Sequence, residues 1–287
     1  MTARSAAGIL YAWKGVRLGT HSLNTAALLL GLLGDELRAA ALRAGVEPGE
    51  FRVAAAAAAL LHDAGKAARK FQEGCRRGHP RFPYHEVASA WITLMLLRDW
   101  WQGGLSDAAV AAAVVAVLRH HHAMRSAENC NALGQSLRGL ADLDWEGLAA
   151  EYESISQYTR LASRIAEGVR WLAEREKRLP RRRTIREMCY EVVRFLRRWD
   201  ASNGMSGMSG GGAAATMLTG ALALADYVAA SLLDGRSEGG GYPRGYAAAA
   251  LRELGWRLRR GGLGLEEAVR EAFRRGLELL RSLNAYG

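Results

Sequence analysis

Apolar residues in this chain gather in long alanine- and leucine-rich runs without the period-two alternation of half-buried strands. Five such segments, about 20–44, 51–64, 84–101, 106–124 and 213–234, predict buried or half-buried helices. Gly45 and Pro48 stop the first and Gly65 ends the second, while the stretch from Gly78 to Pro83 isolates a loop leading into the third. Residues 145–199 change character, with amphipathic helical spacing and a basic run from Arg175 through Lys177, Arg178, Arg181, Arg182, Arg183 and Arg186 to Arg194, Arg197 and Arg198. Ser202 to Gly212 predicts a flexible loop and Gly235 to Gly245 a second joint. Beyond it, 246–258 and 264–283 predict two amphipathic helices arranged as a capping hairpin. The pattern predicts an all-α helical bundle over 1–235, with 145–199 as a basic helical insertion and 236–287 as a C-terminal helical extension.

Length adds one constraint: 287 residues suit a single core with appendages. The formal charge of +10 is carried almost entirely by arginine, the lysines being Lys14, Lys66, Lys70 and Lys177. Such a surface attracts polyanions, nucleic acid first among them. An arginine- and alanine-rich composition also follows from a GC-rich genome, so charge supports that partner without deciding it. Trp171, Tyr190, Phe195 and Trp199 lie among the basic residues of 145–199. They fit either stacking against bases beside a gripped backbone or the inward stripe of helices whose outer face is solvated arginine; in the first reading Arg181, Arg182 and Arg183 bind nucleic acid.

Cys75, Cys130 and Cys189 are odd in number and far apart, which argues against a disulfide framework and a structural zinc site and fits a reducing cytoplasm. The N-terminus lacks the succession of a signal peptide. Uninterrupted apolar runs such as Ala109 to Leu118 reach half of the roughly 20 residues a spanning helix needs, so a soluble protein without membrane contact is expected. No phosphate loop of the Gly-x-x-x-x-Gly-Lys-Ser/Thr form occurs, which excludes a recognisable ATPase within these residues.

The chemistry is carried by histidine and aspartate. His21, His62-Asp63, His85, the run His120-His121-His122 and Asp226 all fall on or at the ends of the apolar helices. Neutral imidazole and carboxylate together hold first-row divalent metals and leave positions open for water and a phosphate oxygen. Adjacent helical residues diverge by about 100°, so His62 and Asp63 converge only where the helix ends, and Gly65 places that end there. A carboxylate has two oxygens and bridges two ions, which makes Asp63 the natural shared ligand. Asp226 sits on a strongly apolar helix where an unpaired carboxylate would be costly. His79, in a Gly-Pro loop, reads as a surface residue.

A His-Asp pair alone is weak evidence, and the combination carries more. His21, His62-Asp63-Ala64-Gly65-Lys66, His85-Glu86-Val87-Ala88-Ser89, the histidine run and Ala225-Asp226 form a pattern that resembles the HD nuclease of type I CRISPR interference over about residues 15–235. His21, His62, Asp63 and Asp226 are common to the HD superfamily, whereas His85 and the histidine pair are similar to its dinuclear subset. The resemblance implies that His21, His62, Asp63 and Asp226 hold one ion and Asp63, His85, His120 and His121 the other. Three consecutive histidines leave both 120/121 and 121/122 open as the pair. It also implies two divalent ions (Mn, Co, Ni, Fe or Mg), Lys66 close to the scissile phosphate, and Ser22 and Asn24 as polar neighbours of the first ligand. The expected substrate is single-stranded DNA, with a separate helicase subunit and a CRISPR surveillance complex as partners. Two rival readings fit the same residues: an HD phosphohydrolase acting on nucleotides or cyclic dinucleotides, and a non-catalytic nucleic-acid-binding subunit.

Overall fold

The computed structural model describes residues 8–13, 15–79, 81, 83–101, 104–121, 130, 142–202, 210–234 and 264–283. The chain enters through a small antiparallel hairpin, β1 (Tyr11–Trp13) and β2 (Val16–Arg17), which the hydrophobic pattern does not announce. From there every regular element among the described residues is helical: α1 (Leu18–Ala44), α2 (Pro48–Leu61), a 3₁₀ turn (Ala64–Ala67), α3 (Arg69–Arg76), α4 (His85–Leu94), α5 (Asp107–Arg119), α6 (Trp145–Ser154), α7 (Arg160–Lys177), α8 (Ile185–Ser202), α9 (Gly210–Val228) and α10 (Leu265–Ser282). Two of them continue as π-helical turns, α4 through Met95–Trp100 and α9 through Ala229–Leu233.

The helix ends follow from their residues. α1 closes on Gly45, whose φ of 68° is left-handed and whose N–H donates back to the carbonyls of Ala41 and Leu42. α2 opens with Pro48 as its first residue after Glu47, whose side chain accepts the N–H of Glu50. Ser106 caps α5 by accepting from the N–H of Ala109.

α2 is the axis of the bundle. Its residues Val53 to Leu61 are buried on every face, as a helix enclosed by neighbours must be. The unbroken alanines from Ala54 to Ala59 let those neighbours come close, and α1, α4, α5 and α9 all pack on or around it. α6 packs on α7, and α8 lies across α4 and α5, where Trp91 Nε1 donates to Glu191 Oε2 at 2.6 Å. The helices of 145–199 are therefore packed onto the bundle. Phe195 belongs to its core, Trp171 stacks near Trp100 and Tyr190 is exposed, so the aromatics there divide between packing and surface.

Of the two C-terminal helices expected, 246–258 lies outside the described residues, as does the joint 235–245. The last, α10, is more than a cap, because its backbone meets that of α1. A Cβ on Gly31 would lie 1.8 Å from the carbonyl oxygen of Ala272, and one on Gly276 would lie 1.8 Å from that of Ala27. Two glycines thus seat α10 directly against the helix that carries His21.

Three expectations change. The loop 202–212 is shorter than its glycine content suggests, since α8 runs to Ser202 and α9 begins at Gly210. Cys130 and Cys189 form a disulfide across 59 residues, against the expectation of free thiols, while Cys75 is free and buried. Finally, Gly212–Leu233 is one helix long and apolar enough to cross a membrane by length and composition, although its uninterrupted apolar runs are short. Its packing against α1 and α5 and the buried Asp226 account for that apolarity as core.

Candidate metal centre

α2 ends at Leu61, and the His-Asp pair leaves it as the last turn opens. His62 keeps helical angles (φ −55°, ψ −32°), Asp63 moves to φ −106° and ψ 5°, and the 3₁₀ turn follows. The two side chains then face one centre, which a continuing helix would forbid. Tyr152 holds this end by donating its hydroxyl to the carbonyl of Leu60 at 2.8 Å. Gly65 lets the turn approach α4, since a Cβ there would sit 2.2 Å from the carbonyl oxygen of His85 and its N–H donates to Ser89 Oγ at 2.8 Å.

His85 opens α4 directly after Tyr84, whose φ of 60° is left-handed for a residue with a side chain. Such backbone costs energy and persists where the surroundings demand it. His21 lies in the first turn of α1, His120 caps the C-terminal end of α5 with His121 next, and Asp226 projects from α9. His122 falls outside the described residues, so the alternative pair 121/122 is not represented.

These side chains meet around Asp63, whose two oxygens face different partners. Oδ2 lies 3.5 Å from both His21 Nε2 and His62 Nε2, and Oδ1 lies 3.1 Å from His85 Nε2 and 3.8 Å from His120 Nε2. Asp226 Oδ1 is 3.0 Å from His21 Nε2 and 3.7 Å from His62 Nε2, on the Oδ2 side. The rings of His85 and His121 lie 5.1 Å apart, and those of His120 and His121 4.1 Å. Apart from His121, whose exposure is intermediate, all of these residues are buried.

The outward ring nitrogens explain why the inward ones act as donors to a cation. His62 Nδ1 donates to the carbonyl of Ala59 at 2.8 Å and His120 Nδ1 to that of Val117 at 2.6 Å. A carbonyl oxygen only accepts, so in the neutral ring Nδ1 keeps the proton and Nε2 presents a lone pair to the centre. His21 Nδ1 instead meets Asp234 Oδ2 at 2.8 Å.

The donor set fits divalent metal. Asp63 Oδ1 and His120 Nε2 are fully buried without a hydrogen-bond partner, and the Nε2 atoms of His21 and His62 confront each other at 3.2 Å. Asp63, His85, His120 and His121 each offer a ligand atom within 4.8 Å of the others, as do His21, His62 and Asp63, and also His62, His120 and Asp226. Imidazole with carboxylate is the chemistry of the later transition metals.

Protonation follows the same crowding. Burial opposes charge on His21, but the hydrogen bonds to Asp226 and Asp234 outweigh it and raise its pKa to about 9. Burial pushes the Asp63 carboxyl up, yet Lys66 and His62 hold it well below the usual range; Asp226 is held low in the same way by His21 and His62. Burial dominates at His62 and His121, whose pKa values fall, and Asp63 overcomes it at His120, whose pKa rises. Two ionised carboxylates among histidines form an anionic nest that protons or cations can fill.

Lys66 lies within the site. Its Nζ is 2.6 Å from Asp63 Oδ2 and 5.3 Å from the centroid of Trp13, whose ring stands 4.2 Å from that of His21. The hairpin thus covers one side of the centre. Gln72 ties it down by bonding both backbone groups of Tyr11 and the carbonyl of Lys66, and buried Glu151 accepts from the N–H groups of Leu10 and Gly19.

The family model described as Cas3, HD domain matches residues 11–232. The chain belongs to this family. Searches of curated proteins and of solved structures found no match. Membership makes the chain an HD-type, metal-dependent nuclease of CRISPR systems, and the Cas3 HD match spans the hairpin and the helices that carry every histidine and aspartate of the cluster.

The basic run behaves differently from a bare cationic stripe. Arg181 pairs with Glu187, Arg182 with Asp142 at 2.6 Å, and Arg183 with Glu176 at 2.9 Å and with Glu191. Arg183 is only 17% exposed in its side chain, so it braces α8 rather than presenting itself to solvent. Asp234 is a residue that sequence reasoning missed; it stands eight positions beyond Asp226, after the apolar run of α9 has ended.

Proposed function

We propose that the chain cuts single-stranded DNA during CRISPR interference, through two divalent ions shared across Asp63. The observation that carries this reading is the division of Asp63: one oxygen turns to His21 and His62, the other to His85 and His120. Two ions in such a site, with His21, His62, Asp63 and Asp226 as ligands of one and Asp63, His85, His120 and His121 of the other, would supply an activated water and the charge that neutralises phosphate oxygens.

The chain's own residues do the rest. Lys66, at the edge of the nest, offers a second positive charge where negative charge grows on the phosphate. Trp13 of the hairpin lies under its ammonium, and Gln72 of α3 bonds its backbone carbonyl, so the lysine is held in place before substrate arrives. Arg182 and Arg181, exposed but acid-paired, can exchange those partners for phosphates of a bound strand. A separate helicase and a surveillance complex would deliver the single strand. The ions are drawn from Mn, Co, Ni, Fe or Mg.

Metal-stripped protein is to be incubated with circular single-stranded DNA and a panel of these ions. The expected result is linearised and then fragmented DNA with at least one of them. A circle left whole with every ion overturns the reading, and hydrolysis of nucleotides or cyclic dinucleotides under the same conditions would assign the centre to small substrates.

A further inference from the structure

Asp234 lies beyond the residues matched by the family and reaches back into the metal centre. Its side chain is 1% exposed, and both of its oxygens are engaged by α1: Oδ2 with His21 Nδ1 at 2.8 Å and Oδ1 with Asn24 Nδ2 at 2.7 Å. His21 is therefore held at both ring nitrogens by carboxylates of one helical segment, since its Nε2 lies 3.0 Å from Asp226 Oδ1.

The backbone makes this clamp geometrically available. In a regular α-helix, residues eight apart are rotated by about 80° from a common face. The stretch Ala229–Leu233 is π-helical, and Asp234 N–H closes it on the carbonyl of Ala229 at 3.0 Å. A π turn takes up one extra residue, so Asp226 and Asp234 stand about two turns apart on one side of the helix, facing His21 together.

His21 differs here from His62 and His120. The Nδ1 atoms of His62 and His120 are satisfied by carbonyls of their own helices, three residues back, and need nothing further. A carboxylate behind an imidazole fixes the ring, keeps the proton on the outer nitrogen and strengthens the inner one as a donor.

We propose that Asp234, oriented by Asn24, is a positioning residue of the centre that sets the affinity of the ion on the His21 side. The inference rests on the metal-centre reading given above, with His21 as a ligand. Its outcome is read as metal affinity and stoichiometry, independent of cleavage.

The full chain, metal-stripped, is titrated with Mn²⁺ and Co²⁺ against a chromophoric chelator as the unmodified protein and as Asp234→Ala, Asp234→Asn and Asn24→Ala. Thermal unfolding of each metal-free variant is followed in parallel. Asp234→Ala should weaken one of two ions by about 10–100-fold and leave the other within error. Asp234→Asn keeps an oxygen for His21 Nδ1 and should lie between, and Asn24→Ala should show the smallest loss. Should Asp234→Ala fail to fold, the other two variants carry the same ordering. Wild-type affinity for both ions in the folded variants overturns the proposal, and so does an equal loss of both ions, which marks a merely structural role. An unmodified protein that binds no divalent ion removes the metal centre itself.

Discussion

Lys66 Nζ sits 2.6 Å from Asp63 Oδ2, the oxygen that also faces His21 and His62. An ammonium and a metal ion would compete for that oxygen, whereas in the proposed reaction the same ammonium would support the phosphate. Lys66→Met should therefore bind metal as well as or better than the unmodified protein while cleaving DNA about 10²–10³-fold more slowly, the loss that follows removal of one preorganised donor. Single-turnover cleavage beside a metal titration checks both halves.

Proton and metal also compete, at His21. Its pKa of about 9 in the metal-free site means that a metal must displace a proton from it at neutral pH. Because the folded value lies above the unfolded one, protonated His21 stabilises the metal-free protein below about pH 6.5, and this contribution is lost as pH rises through 9. Apparent metal affinity should thus rise with pH by up to about tenfold per unit and level off above pH 9. Chelator competition at several pH values measures the slope, and a flat profile would contradict it.

The close crossing of α1 and α10 makes a stability prediction. Gly276→Ala places a methyl group 1.8 Å from the carbonyl oxygen of Ala27, a backbone atom that cannot step aside. The helices must separate, at a cost of at least about 1–3 kcal/mol. Chemical unfolding should show that loss, and Gly34→Ala on α1, where a Cβ meets nothing within 4 Å, should show none.

The Cys130–Cys189 disulfide closes 59 residues, and the chain-entropy argument assigns such a loop roughly 4 kcal/mol. Cys189→Ser should lower the unfolding free energy by about that amount under oxidising conditions and by far less in excess reductant. Mass analysis without reduction reports whether the bond is present.

Much of the centre was legible from local signals. His62-Asp63 with Gly65 two residues on announces a helix that stops so that two ligands can converge, and the structure breaks α2 at that point. His85, His120 and Asp226 stood out as polar residues on otherwise apolar helices, where burial without a partner is costly. Asp234 was hidden because the π turn that brings it fully onto the side of Asp226 is not encoded in apolar periodicity. The hairpin was hidden because Tyr11–Trp13 and Val16–Arg17 are too short to show alternation. Arg182 and Arg183, in the loop before α8, looked cationic because their partners Asp142, Glu176 and Glu191 lie outside the basic cluster, on segments that the fold closes around that loop. The disulfide joins two cysteines so distant that spacing alone gives no hint.

Whether Asp63 bridges two cations is read from anomalous diffraction of crystals soaked in Mn²⁺. Two peaks roughly 3.5–4 Å apart should flank the Asp63 carboxylate, one beside His21, His62 and Asp226 and the other beside His85, His120 and His121. A single peak bound to one side only, or none within the cluster, would contradict the account.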